Sequence, residues 1–146
     1  MTRGHITMKT NRQSMFPSAN ERRSGSATVE LAICLPVVLL IVAGAIEGAN
    51  FAFLRQTLAQ SAYEGIKVTA RRGATMAEGL ESAQRIIQQR NVQGVTFEFQ
   101  PPNPNTAPAG SPLTLIVSAP GDTNSQFPIG PFSGRTITVR ATMARE

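Results

Sequence analysis

A chain of 146 residues, 41% of them hydrophobic, has room for one domain plus appendages. Its one histidine and one cysteine are His5 and Cys34, so Cys/His zinc sites and Ser-His-Asp or Cys-His nucleophiles are excluded from everything beyond Cys34. The formal charge of +5 points to nucleic acid or anionic lipid, but five of the fourteen basic residues (Arg3, Lys9, Arg12, Arg22, Arg23) and one of the nine acids (Glu21) precede Gly25, leaving nine against eight beyond it.

Residues 1–24 are polar, with no apolar period, and read as a disordered basic leader. Met8 and Met15 are alternative starts to Met1. The stretch 26–54 follows, with an uncharged centre from Leu31 to Ile46 bounded by Glu30 and Glu47. Sixteen helical residues give about 24 Å, and the flanking apolar turns extend this to the ~30 Å of a hydrocarbon core. A buried helix of a soluble protein is the competing reading, and the rest of the chain offers too little apolar sheet to wrap a helix hydrophobic on every side. Arg22 and Arg23 stand directly before the span, whereas Arg55 is alone behind it until Lys67, which predicts the N-terminus in the cytoplasm and the C-terminus outside. The apolar run is too long for a secretory signal core, and no small-x-small cleavage site follows it. The lone thiol of Cys34, inside the span, closes no intrachain disulfide.

Basic residues, a glycine, then an apolar helix with glutamate at the fifth position make up the run from Arg22 and Arg23 through Gly25 to Glu30. This resembles a prepilin processing site, in which a membrane peptidase cuts after the glycine, here between Gly25 and Ser26. Joined to Pro36, Glu47 and the trailing Ala70-Arg71-Arg72-Gly73, it looks like the TadE-like family of the tight-adherence pilus machinery, over roughly Arg22 to Gly73. The resemblance implies a bacterial inner-membrane protein with a pilin-like fold and a structural role.

Within the span, Pro36 leaves the Ala32 carbonyl without its helical partner and is expected to kink the helix. The kink is either incidental or, as the resemblance to pilins implies, a weak point where the helix stretches as subunits pack. Gly44, Gly48 and Ala52, spaced by four and bordered by Glu47, form a bulk-free face that suits close approach of a second helix, although small residues are also common background in membrane helices. Glu47 either marks the outer interface or contacts a partner, with Asn50 placed to donate a hydrogen bond. An acid such as Glu30 costs on the order of 3 kcal/mol at a bilayer centre and less near an interface. It either reaches to cytoplasmic headgroups at a helix start or, as the resemblance suggests, is recognised by the peptidase and then meets the new α-amino group on Ser26 of an adjoining subunit.

From Asn50 the helix should continue outward and become amphipathic, with Phe51, Leu54, Leu58, Ala62 and Ile66 on one stripe. Arg71, Arg72 and Gly73 read as its end, the cations against the negative pole and the glycine as a left-handed cap. Thr75 to Glu78 fits a capping box, which opens a second helix from Met76 to about Arg90 with Met76, Leu80, Ala83 and Ile87 inward. The period then changes to two. Val95, Phe97 and Phe99, then Leu113, Leu115 and Val117, then Ile137, Val139, Ala141 and Met143 predict three antiparallel strands with one face on the helices. The Pro-rich connections 100–112 and 119–135 belong at the surface.

The chain thus divides into a leader (1–25), a transmembrane helix (26–54), an amphipathic helical region (55–91) and a β-rich region (92–146). The fold expected is membrane-anchored α+β. With the exported acids scattered and no phosphate-cradling glycine loop, neither enzymatic activity nor a cofactor or metal is expected. Tyr63 is the only tyrosine and there is no tryptophan, which disfavours nucleic acid. The expected function is a pseudopilin or minor pilin acting in adhesion and secretion. Its partners would be a prepilin peptidase, other pseudopilins, the major pilin, the inner-membrane platform and the bilayer. The alternative is an uncleaved single-pass protein whose outer domain binds a ligand or surface.

Overall fold

The computed structural model describes residues 19–126 and 134–146, with side chains from residue 25 onward. The leader reading therefore lies outside the described residues up to position 18. Arg22 and Arg23 fall within the first helix, but their side chains are outside what is described.

The elements are α1 (Ala19–Ala70), α2 (Met76–Gln89), β1 (Thr96–Gln100), β2 (Pro112–Pro120) and β3 (Thr136–Ala144), with 3-10 turns at Pro104–Thr106 and Asp122–Asn124. The protein is α+β, as the change of period at Asn91 predicts. Two compact units divide between Ile41 and Val42.

In the first unit α1 is the whole described structure, and it runs through Pro36 without a break in helical assignment. In the second unit α1 becomes the spine of a packed domain. Leu54, Leu58, Ala62 and Ile66, the stripe read from the sequence, are buried, and Phe51 packs at its edge. α1 ends at Ala70, and Gly73 takes the left-handed conformation expected of a helix cap, at φ 78°. The Ala70 carbonyl, one of the four that a helix end leaves open, accepts from the Glu146 N–H at 2.8 Å, so Glu146 closes the end of α1.

α2 starts on the predicted capping box, with the Thr75 hydroxyl accepting from the Glu78 N–H and the Glu78 carboxylate from the Thr75 N–H. A third first-turn donor, the Met76 N–H, goes to Asn105 Oδ1 in the Pro-rich connection at 2.8 Å. Ala83 and Ile87 are buried against α1, and the Ser61 hydroxyl donates across to the Ala83 carbonyl at 2.9 Å.

The sheet is antiparallel in the order β1-β2-β3, with Leu115 facing Phe99 on one side and Ala141 on the other. Since side chains alternate faces, Leu113, Leu115, Val117 and Ala119 of the central strand point into the core with Phe99 and Ile137. The opposite face is a hydroxyl lattice, in which Thr114 meets Thr142 at 2.8 Å and Ser118 meets Thr138 at 3.0 Å. Ile116 breaks the alternation of β2: it belongs to this polar face, yet it is buried between Glu98 and Arg140 in the register. The connection 101–111 is pinned by the end of the chain. The Arg145 guanidinium donates to the carbonyls of Pro104 and Ala107, and its backbone exchanges bonds with Gly110 and Ser111 at 2.7 and 2.9 Å.

Candidate membrane and assembly site

Two features on α1 carry chemistry outside the core. One is an apolar surface; the other is a polar seam at its C-terminal end.

Eleven large apolar side chains of α1, at Val29, Leu31, Ile33, Leu35, Val37, Val38, Leu39, Leu40, Ile41, Val42 and Ile46, are each 47–73% exposed. They face every direction around the helix, and a soluble monomer rarely leaves so large a contiguous apolar surface in water. The helix is long and apolar enough to cross a membrane, and none of its apolar window is buried. The surface therefore belongs in lipid or against other helices, and α1 acts as a membrane anchor. Cys34 is exposed on it as a free thiol.

Glu30 stands exposed at the N-terminal end of this surface, and among the described residues it has no ion pair. α1 extends through Gly25 and Ser26, so the glycine, the new terminus it would create and Glu30 share one helix. Gly44 and Gly48 are open, with nothing within 4 Å of where a Cβ would stand, and Ala52 is exposed.

Glu47 behaves differently from its neighbours. Only 5% exposed, it accepts a hydrogen bond from the Ser125 hydroxyl. One turn on, Asn50 Nδ2 donates to the Asn124 carbonyl at 2.7 Å. The Asn124 side chain in turn donates to the carbonyls of Gln93 at 3.0 Å and Pro120 at 2.9 Å, and accepts from the Gln93 N–H at 2.9 Å. Asn124 thus ties together α1, the turn before β1 and the end of β2. Neither Asn124 nor Ser125 is among the residues singled out from sequence, because a single amide in a Gly/Pro-rich connection has no periodic signature. Asn50 is identified there as a donor, though with Glu47 as the expected acceptor.

With this geometry in hand, comparison with known families is decisive for one segment. The TadE-like protein family profile matches residues 25–66. The anchoring helix is TadE-like. The match begins at Gly25, takes in Glu30, Pro36 and Glu47, and ends at Ile66, the last residue of the buried stripe Leu54, Leu58, Ala62 and Ile66. The TadE-like segment therefore spans both the exposed anchor and the helix face on which the domain is built, and it supports a pilin-like role associated with the tight-adherence pilus. It covers under a third of the chain. No match was found among curated proteins or among solved structures.

Proposed function

We propose that this chain is a TadE-like pseudopilin or minor pilin that takes part in assembling a tight-adherence pilus. A prepilin peptidase removes the basic leader between Gly25 and Ser26 at the inner membrane. The anchor then packs laterally against other pilin-like helices, with Glu30 meeting the new α-amino group of a neighbour and Gly44, Gly48 and Ala52 permitting close approach. Pro36 supplies a place where the helix yields during packing. The work is structural, and the folded domain outside the membrane presents its surface to the major pilin, a second pseudopilin and the assembly platform.

The observation that carries this reading is an apolar helix, exposed on every side, with its acid five residues after Gly25, all within the matched segment. A carboxylate with no ion pair among the described residues is suited to meet an ammonium supplied by another chain. The test is replacement of Glu30 by Ala in cells that make the pilus. Pili are expected to be lost while the protein still accumulates in the membrane. Normal piliation with Glu30→Ala would remove the proposed pairing.

A further inference from the structure

The short connection between α1 and α2 folds them into a hairpin, and this returns the end of α2 to the turn of α1 around Phe53. Fourteen residues of α2, from Met76 to Gln89, run back beside the last turns of α1. Their C-cap, Arg90, arrives over the ring of Phe53, with its guanidinium carbon 5.1 Å from the ring centroid. Phe53 is 43% exposed, and Arg90 is exposed with no ion pair among the described residues. Both line a cleft of about 270 Å³ shared with Asn50, Gln93 and Asn124, and no acid lines it among the described residues. Glu47 lies behind Ser125, to which it is hydrogen-bonded, and is not part of the lining.

Sequence places this cleft. The uncharged run ends at Ile46 and is followed by Glu47 and Asn50, which puts the hydrocarbon boundary between Ile46 and Asn50. Phe53 then lies about 5–10 Å beyond it, at the depth of the lipid headgroups. Arg71 and Arg72, by contrast, stand beyond the end of α1, about 35 Å further along the helix than Ile46. They are too far to reach the same layer.

We infer that the Arg90–Phe53 cleft is a seat for the phosphate of a lipid headgroup in the leaflet nearest the folded domain. Arg90 supplies the charge in a fork suited to phosphate oxygens. Phe53 holds the guanidinium by its ring face. Asn50 and Gln93 line the same cleft, and the nearest carboxylate placed by a bond to the lining, Glu47, is screened by Ser125. The seat fixes how far the anchor sinks and keeps the end of α2 on the membrane. It rests on the membrane span alone and is independent of the pilus reading.

The full chain has no tryptophan, so a single indole reports depth. Gln93→Trp and, as a distant reference, Glu81→Trp are each reconstituted in phosphatidylcholine nanodiscs carrying a headgroup nitroxide. Quenching of the Gln93→Trp indole is expected to exceed that of the Glu81→Trp indole at least twofold. Native mass spectrometry of nanodiscs containing phosphatidylglycerol is expected to show bound anionic lipid reduced at least twofold by Arg90→Gln, restored in part by Arg90→Lys and unaffected by Arg71→Gln. Circular dichroism checks that each variant is folded. Equal quenching at the two positions, or equal lipid retention in wild type and Arg90→Gln, overturns the proposal. Displacement of the retained lipid by millimolar inorganic phosphate would instead make the cleft a free-anion site and overturn it as well.

Discussion

Gly65 and Gly79 meet where α1 crosses α2, and neither position has room for a side chain. A Cβ on Gly79 would stand 2.7 Å from the Gly65 carbonyl oxygen and collide with the Thr69 hydroxyl, while one on Gly65 would stand 2.6 Å from Leu115 Cδ2 and 2.9 Å from the Ala83 methyl. The two helices therefore touch backbone to backbone. This closeness brings Ser61 within 2.9 Å of the Ala83 carbonyl. For Gly79→Ala, overpacking of about 1–3 kcal/mol opposes a helix-propensity gain of about 1 kcal/mol. Because the collisions include backbone, the expected outcome is a net loss of about 1–2 kcal/mol, read as a lower denaturation midpoint of the detergent-solubilised protein. A rise in midpoint would show that the crossing has slack.

Asn124 gathers five hydrogen bonds, three through its side-chain amide, one through its carbonyl and one from its N–H to the Gly121 carbonyl. Asn124→Ala removes the three side-chain bonds and leaves the Gln93 N–H without its acceptor. The expected cost is about 1–3 kcal/mol, the usual range when a paired polar group loses its partner. Hydrogen exchange of the Gln93 amide should accelerate more than that of the β2 amides, and equal acceleration at both would mean global rather than local loosening.

The two acids at the ends of the apolar run should separate cleanly by assay. Glu47 is buried against Ser125, whereas Glu30 is exposed and without an ion pair among the described residues. Glu47→Ala is expected to lower the thermal midpoint, by roughly the 1.5–3 kcal/mol associated with hydrogen bonds to charged groups, with Glu47→Gln losing less. Glu30→Ala should leave the midpoint unchanged. A matching shift for both would place Glu30 in the fold rather than at a subunit contact.

Arg145 holds the Pro104 and Ala107 carbonyls with one guanidinium nitrogen. Arg145→Ala should destabilise the domain by about 1–3 kcal/mol and open the 101–111 connection to protease. Arg85→Ala is the control, because the exposed Arg85–Glu81 pair at 3.1 Å is worth under about 1 kcal/mol. Equal protease sensitivity in the two variants would show that Arg145 does not restrain the connection.

Local periodicity carried most of the fold. The Leu54-Leu58-Ala62-Ile66 stripe, the Thr75 capping box and the alternation in β1 and β3 are each set by residues a few positions apart, so each was readable in one dimension. The strand order was not, because it depends on which surfaces the long connections allow to meet. The purpose of Gly65 was equally hidden: in sequence it is a weak helix residue, and only the approach of Leu115 from the sheet and of Ala83 and Gly79 from another helix explains it. For the candidate site, Gly25, Glu30 and the apolar run were legible as a motif. The seam of Glu47, Asn50, Asn124 and Ser125 was not, since its partners are more than seventy residues apart. Arg90 reads in sequence as the end of a helix, and only the hairpin return places it over Phe53.

The central claim is that the basic leader is trimmed to expose an ammonium on Ser26 for a neighbour's Glu30. Intact mass of the protein extracted from membranes tests it most directly, in cells with and without the prepilin peptidase. The account predicts a chain beginning at Ser26 when the peptidase is present and a longer chain retaining Arg22 and Arg23 when it is absent. One unchanged mass that includes Arg22 and Arg23 in both backgrounds would contradict it.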